Sequence, residues 1–120
     1  MTYGATQSKQ DEIIAALGAR GATSQPLAGA AAASTSAGPF TPQLARAIWL
    51  TLTGAWTGTV RVLRSVDGGV TKVPLTLAGQ SWASFTANCA EPIAEESVSA
   101  ATYYLDIALT SGAVTYRLEQ

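Results

Sequence analysis

Residues 46–53 read RAIWLTLT, and their side chains alternate in character as in a half-buried β-strand. Ile48, Leu50 and Leu52 fall on one face, while Trp49 and the threonines fall on the other. This two-residue period predicts that the three aliphatic side chains point into a core. Because a one-residue slip in strand pairing would turn all three outward, the pattern also predicts the register.

Much of the sequence that follows has the same strand character. Residues 102–110, TYYLDIALT, place Leu105, Ile107 and Leu109 on one face, and we expect these to share the core with the first strand. Further strands are predicted at 59–66, 71–77, 81–87, 91–97 and 114–118. Short strands separated by frequent turn signals are typical of an antiparallel β-sandwich, jelly-roll or immunoglobulin-like, which we assign to residues 40–120.

A hairpin turn is predicted at residues 65–69, SVDGG, because an Asp-Gly pair supplies the positive φ angles that tight turns require. Arg64 either pairs with Asp67 across this turn, or both are solvated charges. Pro74 lacks a backbone donor, so the strand that returns from the turn is expected at the edge of a sheet.

The first 39 residues contain a single aromatic side chain and one short helical signal. Ser8 is a suitable N-cap, Asp11 stands in the capping-box position, and Gly18 is a suitable C-cap. We therefore assign residues 1–39 to a short N-terminal helix followed by an extended arm of small residues. The expected task of this segment is oligomerisation or anchoring.

Ile13, Ile14 and Leu17 recur at helical spacing and form a narrow apolar stripe, called the stripe below. A helix of about ten residues is not stable alone, so another surface must cover the stripe. The stripe either docks on the chain's own β domain, packs against other copies of itself, or belongs to a disordered tail. A small symmetric bundle, with a trimer favoured, makes these three residues the predicted oligomer interface.

Residues 19–39 contain the low-complexity run LAGAAAASTSAG at positions 27–38. Such small side chains bury too little apolar area to offset the entropy of ordering the chain. The default expectation is a flexible linker without a regular element of its own. An extended arm that lies closely on a neighbouring surface is the alternative.

The composition argues against several kinds of function. The 120 residues include no histidine, which removes Ser-His-Asp triads, Cys-His dyads and histidine-bound metals. Seven basic and eight acidic residues give a net charge of −1, so no nucleic-acid partner is expected. The single cysteine, Cys89, allows no intrachain disulfide. No apolar run has the length of a membrane span and the start lacks a secretory pattern, so we expect synthesis in the cytoplasm and no membrane partner.

Glu91, Glu95 and Glu96 cluster before the strand at 102–110. Paired carboxylates serve glycoside hydrolysis, and together with Asp106 they could bind calcium. Neither Asp-x-Asp nor EF-hand spacing is present, so a solvated acidic loop is the favoured interpretation. We expect no enzymatic activity, no metal and no cofactor.

Aromatic side chains are concentrated in residues 40–120 and could build a platform on which sugars stack. They are Trp49, Trp56, Trp82, Tyr103, Tyr104 and Tyr116. Few Asn, Asp and Gln residues accompany them, so packing in the core and between subunits is the favoured interpretation. Cys89 has no base or cation near it in sequence, and a buried structural thiol is expected.

Residues 52–69 read LTGAWTGTVRVLRSVDGG, and residues 103–118 end in TSGAVTYRL. These two segments resemble the TGxWxGTVxLxRSxDGG segment and the closing hairpin of small β-sandwich proteins of tailed bacteriophages and prophages. Residues 8–14, SKQDEII, resemble the short helices that begin some phage head-fibre and fibre-attachment proteins. The resemblance implies a virion structural protein and brings no catalytic residues with it.

The expected function is that of a non-enzymatic protein on the surface of a phage particle, either a capsid decoration protein or a head-fibre protein. Its expected partners are other copies of the chain and the major capsid protein or other virion proteins. The alternative is a carbohydrate-binding module, or a tail or neck fibre component, that contacts host glycans.

Overall fold

The computed structural model describes residues 24–120, so the predicted helix and the stripe lie outside the described residues. Residues 24–120 form eleven β-strands and no helix. The strands are β1 (Leu27–Ala31), β2 (Thr35–Phe40), β3 (Ala47–Thr53), β4 (Trp56–Ser65), β5 (Val73–Pro74), β6 (Thr76–Leu77), β7 (Gln80–Ser81), β8 (Ser84–Phe85), β9 (Cys89–Glu95), β10 (Thr102–Gly112) and β11 (Val114–Glu119).

The longer strands form two sheets with antiparallel pairing throughout. Sheet A has the order β1-β11-β3-β9, and sheet B has the order β2-β10-β4-β5, with β8 also paired to β4. Strands β6 and β7 form a separate small hairpin. Both larger sheets contribute to one buried cluster, so they pack face to face as in a β-sandwich. The predicted mainly β class with antiparallel sheets is confirmed.

Three turns carry the chain from one sheet to the other at the same end of the molecule. In β1–β2, β3–β4 and β10–β11, the two strands belong to different sheets. The turns are tied together there, because the Ala113 amide donates to the Ala55 carbonyl at 3.1 Å and the Leu109 amide donates to Ser34 Oγ at 3.0 Å. We call this region the corner end, and it comprises residues 32–34, 54–55 and 112–113.

The predicted register is confirmed at the centre of both sheets. All three aliphatic residues of β3 are fully buried, and so are Leu105 and Ile107 on β10. Leu109 is only partly buried, because it lies beside the register shift of β10 that precedes the corner end. The other large side chains of the core that are almost fully buried are Phe40, Val60, Val62, Tyr103, Val114 and Leu118.

The expectation that residues 19–39 contain no regular element is wrong for their second half. Strand β1 pairs with β11, and β2 pairs with β10, so each is an edge strand of one sheet. Sheet pairing satisfies the backbone groups on the inner side of each strand, and Ala31 and Phe40 enter the core. Gly29 leaves room for the ring of Tyr116, which a Cβ atom there would meet. The sheets therefore begin at β1 rather than at residue 40.

The strands predicted at 71–77 and 81–87 are broken into two-residue pieces. Pro74 occupies the edge position expected of it, because β5 pairs with β4 alone. The Val62 amide donates to the Ala83 carbonyl at 3.0 Å, and Trp82 Nε1 donates to the Ile93 carbonyl at 2.7 Å. Positions 82 and 83 thereby connect sheet B to the edge of sheet A.

Candidate functional site

Glu96 carries a buried carboxylate just after β9, with 3% of the residue exposed. Arg64 on β4 donates to it twice, from Nε to Oε1 at 2.6 Å and from Nη2 to Oε2 at 2.8 Å. The Tyr103 hydroxyl donates to Oε1 at 2.7 Å, and the amides of Ser97 and Val98 donate to Oε2. This cluster joins sheet B to the loop that follows the edge strand of sheet A.

These donors keep Glu96 ionised. The Arg64 guanidinium lowers the pKa of the Glu96 carboxyl to about 2, and the Tyr103 hydroxyl and the Val98 amide act in the same direction against the cost of burial. Burial and the bond to Glu96 raise the pKa of the Tyr103 hydroxyl. A carboxylate in this state is a poor general acid or base near neutral pH, so we assign the cluster to stability.

The structure does not bring the four predicted carboxylates together. Glu91 and Glu95 lie along β9, whereas Asp106 lies on β10 of the other sheet and pairs with Arg61 at 2.6 Å. Within residues 24–120, no three acidic or cysteine side chains are placed to hold a metal ion. Glu96 is bound separately to Arg64 as a structural anion. The structure therefore does not support the paired-carboxylate hypothesis.

Asp67 holds the predicted hairpin turn at residues 65–69. Its Oδ1 accepts from the Thr71 amide at 2.8 Å and from the Ser65 hydroxyl at 2.7 Å. Both bonds lower the pKa of the Asp67 carboxyl, and the bond from the Thr71 amide has the larger effect. The pairing of Arg64 with Asp67 considered from the sequence does not occur, because Arg64 is bound to Glu96.

Four of the six aromatic side chains are covered by the protein itself. Tyr103 is buried in the core, and Tyr104 is buried beneath Lys72, whose Nζ lies 4.3 Å from the ring centre. Tyr116 and Trp56 are partly buried against the core. These four side chains therefore take part in packing, fully for the two buried tyrosines and in part for Tyr116 and Trp56.

Trp49 and Trp82 are more exposed, at 44% and 37%. Trp49 lies on the outer face of sheet A, in register with Glu119 on β11 and Pro92 on β9. Trp82 donates its indole N–H to the carbonyl of Ile93, the residue that follows Pro92. Both tryptophans thus flank the same part of β9, one through strand register and the other through its hydrogen bond.

Cys89 is partly buried on β9, where its thiol donates to the Leu50 carbonyl with an Sγ–O distance of 3.9 Å. Burial, followed by the negative charge of Glu91, raises the pKa of the Cys89 thiol. A thiol with a raised pKa is a weak nucleophile, which agrees with the structural role expected for it.

The described region begins beside the last residue of the chain. Gln120 Oε1 accepts from the Ser24 hydroxyl and from the Gln43 amide, each at 2.8 Å. Gln120 Nε2 donates to the carbonyls of Gln43 at 2.8 Å and Arg46 at 3.0 Å. One side-chain amide therefore fixes the point at which residues 1–23 join the sandwich.

The loop over residues 43–46 is held from a second side as well. Ala45 has a left-handed φ of 57°, and its amide donates to the backbone carbonyl of Glu96 at 2.8 Å. Leu44 is 46% exposed on this loop, along which an open groove of about 500 Å³ runs. We call Ser24, residues 43–46 and Gln120 the attachment end.

The attachment end lies opposite the corner end. Strand β1 runs from Leu27, paired with Leu118, to Ala31, paired with Val114. Val114 directly follows the turn at the corner end, whereas Leu118 lies two residues before Gln120. Strands β1 and β11 therefore span the distance between the two ends.

Comparisons with known proteins give no match to a family model, to a curated protein or to a solved structure. Among residues 24–120, no helix is long and apolar enough to cross a membrane. What the chain does must therefore be argued from its own residues.

The roles of Glu96 and Gln120 were not predicted from the sequence. Glu96 stands beside two other glutamates, and nothing in that spacing marks it as the buried one. Its partner Arg64 is 32 positions away, and Gln120 bonds to residues 77 and 96 positions away. Contacts at such separations leave no local periodic signal.

Proposed function

We propose that the chain is a non-enzymatic structural protein of a tailed phage or prophage particle, acting on the virion surface as a capsid decoration or head-fibre protein. The proposal rests on the two phage-like segments at 52–69 and 103–118. In the fold they contain β4 and β10, which pair from Thr102–Ser65 through to Gly112–Trp56. The residues that carry the resemblance thus lie on adjoining strands.

The described residues suit a structural role. Within residues 24–120, every buried polar side-chain atom has a hydrogen-bond partner. Three turns connect the two sheets at the corner end, and the buried carboxylate of Glu96 links the sheets through its bonds to Arg64. Many copies of a rigid body of this kind can make the same modest contact around a symmetric shell. Each bound copy then adds to the stability of the particle.

Residues 1–23 supply assembly in this proposal. This part of the proposal has two elements: a short helix at 8–18, and an interface in which the stripe packs against the same stripe in two other copies. Their support is the N-cap, the glycine stop and the apolar spacing in the sequence. The described residues contribute the point of attachment, at Ser24 beside Gln120.

Cosedimentation with phage particles tests the proposal. Heads assembled without this protein and isolated tails are each mixed with the purified chain and centrifuged. We expect saturable sedimentation with heads, through contact with the major capsid protein. Sedimentation with tails alone would assign the chain to a tail or neck fibre, and failure to bind either particle would contradict the virion role.

A second candidate function, recognition of host glycans, is favoured by the surroundings of Trp49. Its exposed indole lies in register with Glu119, which accepts from Arg117 Nε at 2.6 Å. An exposed aromatic face beside fixed polar groups is a surface on which a sugar ring can stack. Tryptophan fluorescence during titration with a purified host surface polysaccharide tests this function.

The glycan hypothesis requires quenching that is lost in Trp49→Ala. Val73→Ala provides the control, because Val73 is similarly exposed but lies on the other sheet. Absence of quenching in the unsubstituted protein, or equal quenching in both variants, would exclude Trp49 as a sugar-binding residue.

A further inference from the structure

We propose that copies of this chain pack around their shared axis through the attachment end, with Leu44 as the side chain that a neighbouring copy covers. The inference rests on the proposed assembly through the stripe. It specifies which surface of the sandwich faces the axis and which surface faces outward.

The tether between the stripe and the sandwich is short. Leu17 and Ser24 are seven positions apart, so the connection spans at most about 25 Å when fully extended. Ser24 is bonded to Gln120, and Gln120 is bonded to Gln43. Copies joined through the stripe therefore bring their attachment ends within one tether length of the axis.

The corner end lies farther from the tether. The seven residues of β3 alone span about 23 Å between the loop at 43–46 and the turn that follows β3. If the attachment end is turned towards the axis, as proposed, the three corner turns face away from it. The same geometry leaves the corner end free for contact with solvent or with other virion proteins.

The charge pattern of this part of the chain suits contact between identical copies. Close to a symmetry axis the same side chain of each copy comes near its counterparts, so like charges there cost free energy. The sequence carries no charged residue from position 21 to position 45, a stretch that includes Ser24, β1, β2 and Leu44, and Arg46 is the charged side chain of the attachment end. Strand β9, on the other edge of sheet A, carries Glu91 and Glu95.

Leu44 is presented on a loop that is already fixed. Gln120 holds the carbonyls of Gln43 and Arg46, and the Ala45 amide is bound to Glu96. A preorganised loop loses little conformational entropy when a partner covers it. The exposed leucine and the groove beside it can therefore pack against a second copy without rearrangement.

Site-specific crosslinking tests the inference on the full chain. Cys89→Ser removes the native thiol, and Leu44→Cys or Ala33→Cys then adds one exposed thiol at the attachment end or at the corner end. Each protein is treated with a short bismaleimide at a concentration where light scattering shows the oligomer. We expect covalent dimers from Leu44→Cys and at least tenfold fewer from Ala33→Cys.

The outcomes separate this inference from the function on which it rests. An oligomer in which Leu44→Cys does not crosslink, or crosslinks no better than Ala33→Cys, overturns the inference and leaves assembly through the stripe intact. A chain that light scattering shows to be monomeric overturns both. Preferential crosslinking through position 44 that disappears in Ile13→Asp/Leu17→Asp supports both.

Discussion

Arg64 and Glu96 meet through two hydrogen bonds of 2.6 and 2.8 Å between guanidinium and carboxylate. Arg64 belongs to β4 in sheet B, whereas Glu96 directly follows β9 at the edge of sheet A. The pair therefore joins the two layers of the sandwich. Because the backbone carbonyl of Glu96 also accepts from the Ala45 amide, the same residue anchors the loop at the attachment end.

Glu96→Gln is expected to lower the free energy of unfolding by about 3 kcal/mol, as is typical when one partner of a buried ion pair is removed. The substitution keeps the shape of the side chain but leaves the Arg64 guanidinium without its counter-ion. Urea unfolding followed by circular dichroism at pH 7 measures the change.

Asp106→Asn is the control for that substitution. It breaks the pair between Arg61 and Asp106, which has the same 2.6 Å contact but side chains that are 45% and 39% exposed. Exposed pairs contribute little, so we expect a loss below about 1 kcal/mol. Equal losses in the two variants would show that burial of Glu96 has no special role.

The stability of the protein is expected to fall as the pH is lowered from about 4.5 towards 2. The pKa of Glu96 is lowered from its ordinary value of 4.5 to about 2 by Arg64 and its other donors. A carboxyl with a lowered folded-state pKa contributes stability above its unfolded pKa, and this is lost as the pH falls through the folded value. Asp67, whose pKa is also lowered, contributes in the same direction.

The contribution of Glu96 is isolated by comparing the unsubstituted protein with Glu96→Gln across this pH range. Asp67 is present in both proteins, so its effect cancels in the difference. We expect the difference in unfolding free energy to shrink on acidification. A difference that stays constant from pH 6 to pH 2.5 would contradict the assignment of the lowered pKa to Glu96.

Strands whose side chains alternate cleanly between apolar and polar were predictable from the sequence. Strands that are held only by backbone pairing with their neighbours were not. Ile48, Leu50 and Leu52 mark a buried face by period, and burial follows it. The run at 27–38 has no such period, because its alanines and glycine differ little in hydrophobicity between the two faces. Its strands are held by the backbone bonds of β10 and β11, whose partners lie far along the sequence.

Gly112 at the corner end is expected to be required for the close approach of two turns, the one between β3 and β4 and the one between β10 and β11. A Cβ atom at Gly112 would meet the backbone carbonyl oxygen of Ala55 and the Cα of Trp56, and its φ is 79°. We expect Gly112→Ala to cost at least about 3 kcal/mol, since both strain and a backbone clash must be relieved. Thermal and urea unfolding measure the loss.

Gly79→Ala is a closely matched control for the corner glycine. Gly79 has a φ of 80°, nearly the same as Gly112, but nothing lies within 4 Å of the position of its Cβ. Only the left-handed backbone penalty applies, about 1 kcal/mol. If both variants lost the same stability, the close approach of β3–β4 to β10–β11 would carry no energetic weight.

The site residues were less predictable than the strands for a related reason. Glu96 and Gln120 act through partners that the fold brings to them from distant positions. Asp67 was placed correctly in its turn, since its partners Ser65 and Thr71 are near neighbours in sequence. Local chemistry is visible in the sequence, whereas a buried pair becomes visible only with the topology.

Replacing the stripe residues Ile13 and Leu17 by aspartate is expected to abolish oligomer formation while the sandwich stays folded. Each fully buried Ile or Leu contributes roughly 1.5–3 kcal/mol, so the loss of two in every copy exceeds what a small bundle can tolerate. Light scattering measures the size of the particle, and circular dichroism measures the fold. Ala15→Asp introduces a charge on the side of the helix opposite the stripe and should leave the oligomer in place. A double variant of the stripe that keeps its oligomeric state would contradict the assembly role, and one whose β-structure unfolds would show that the stripe packs on its own sandwich.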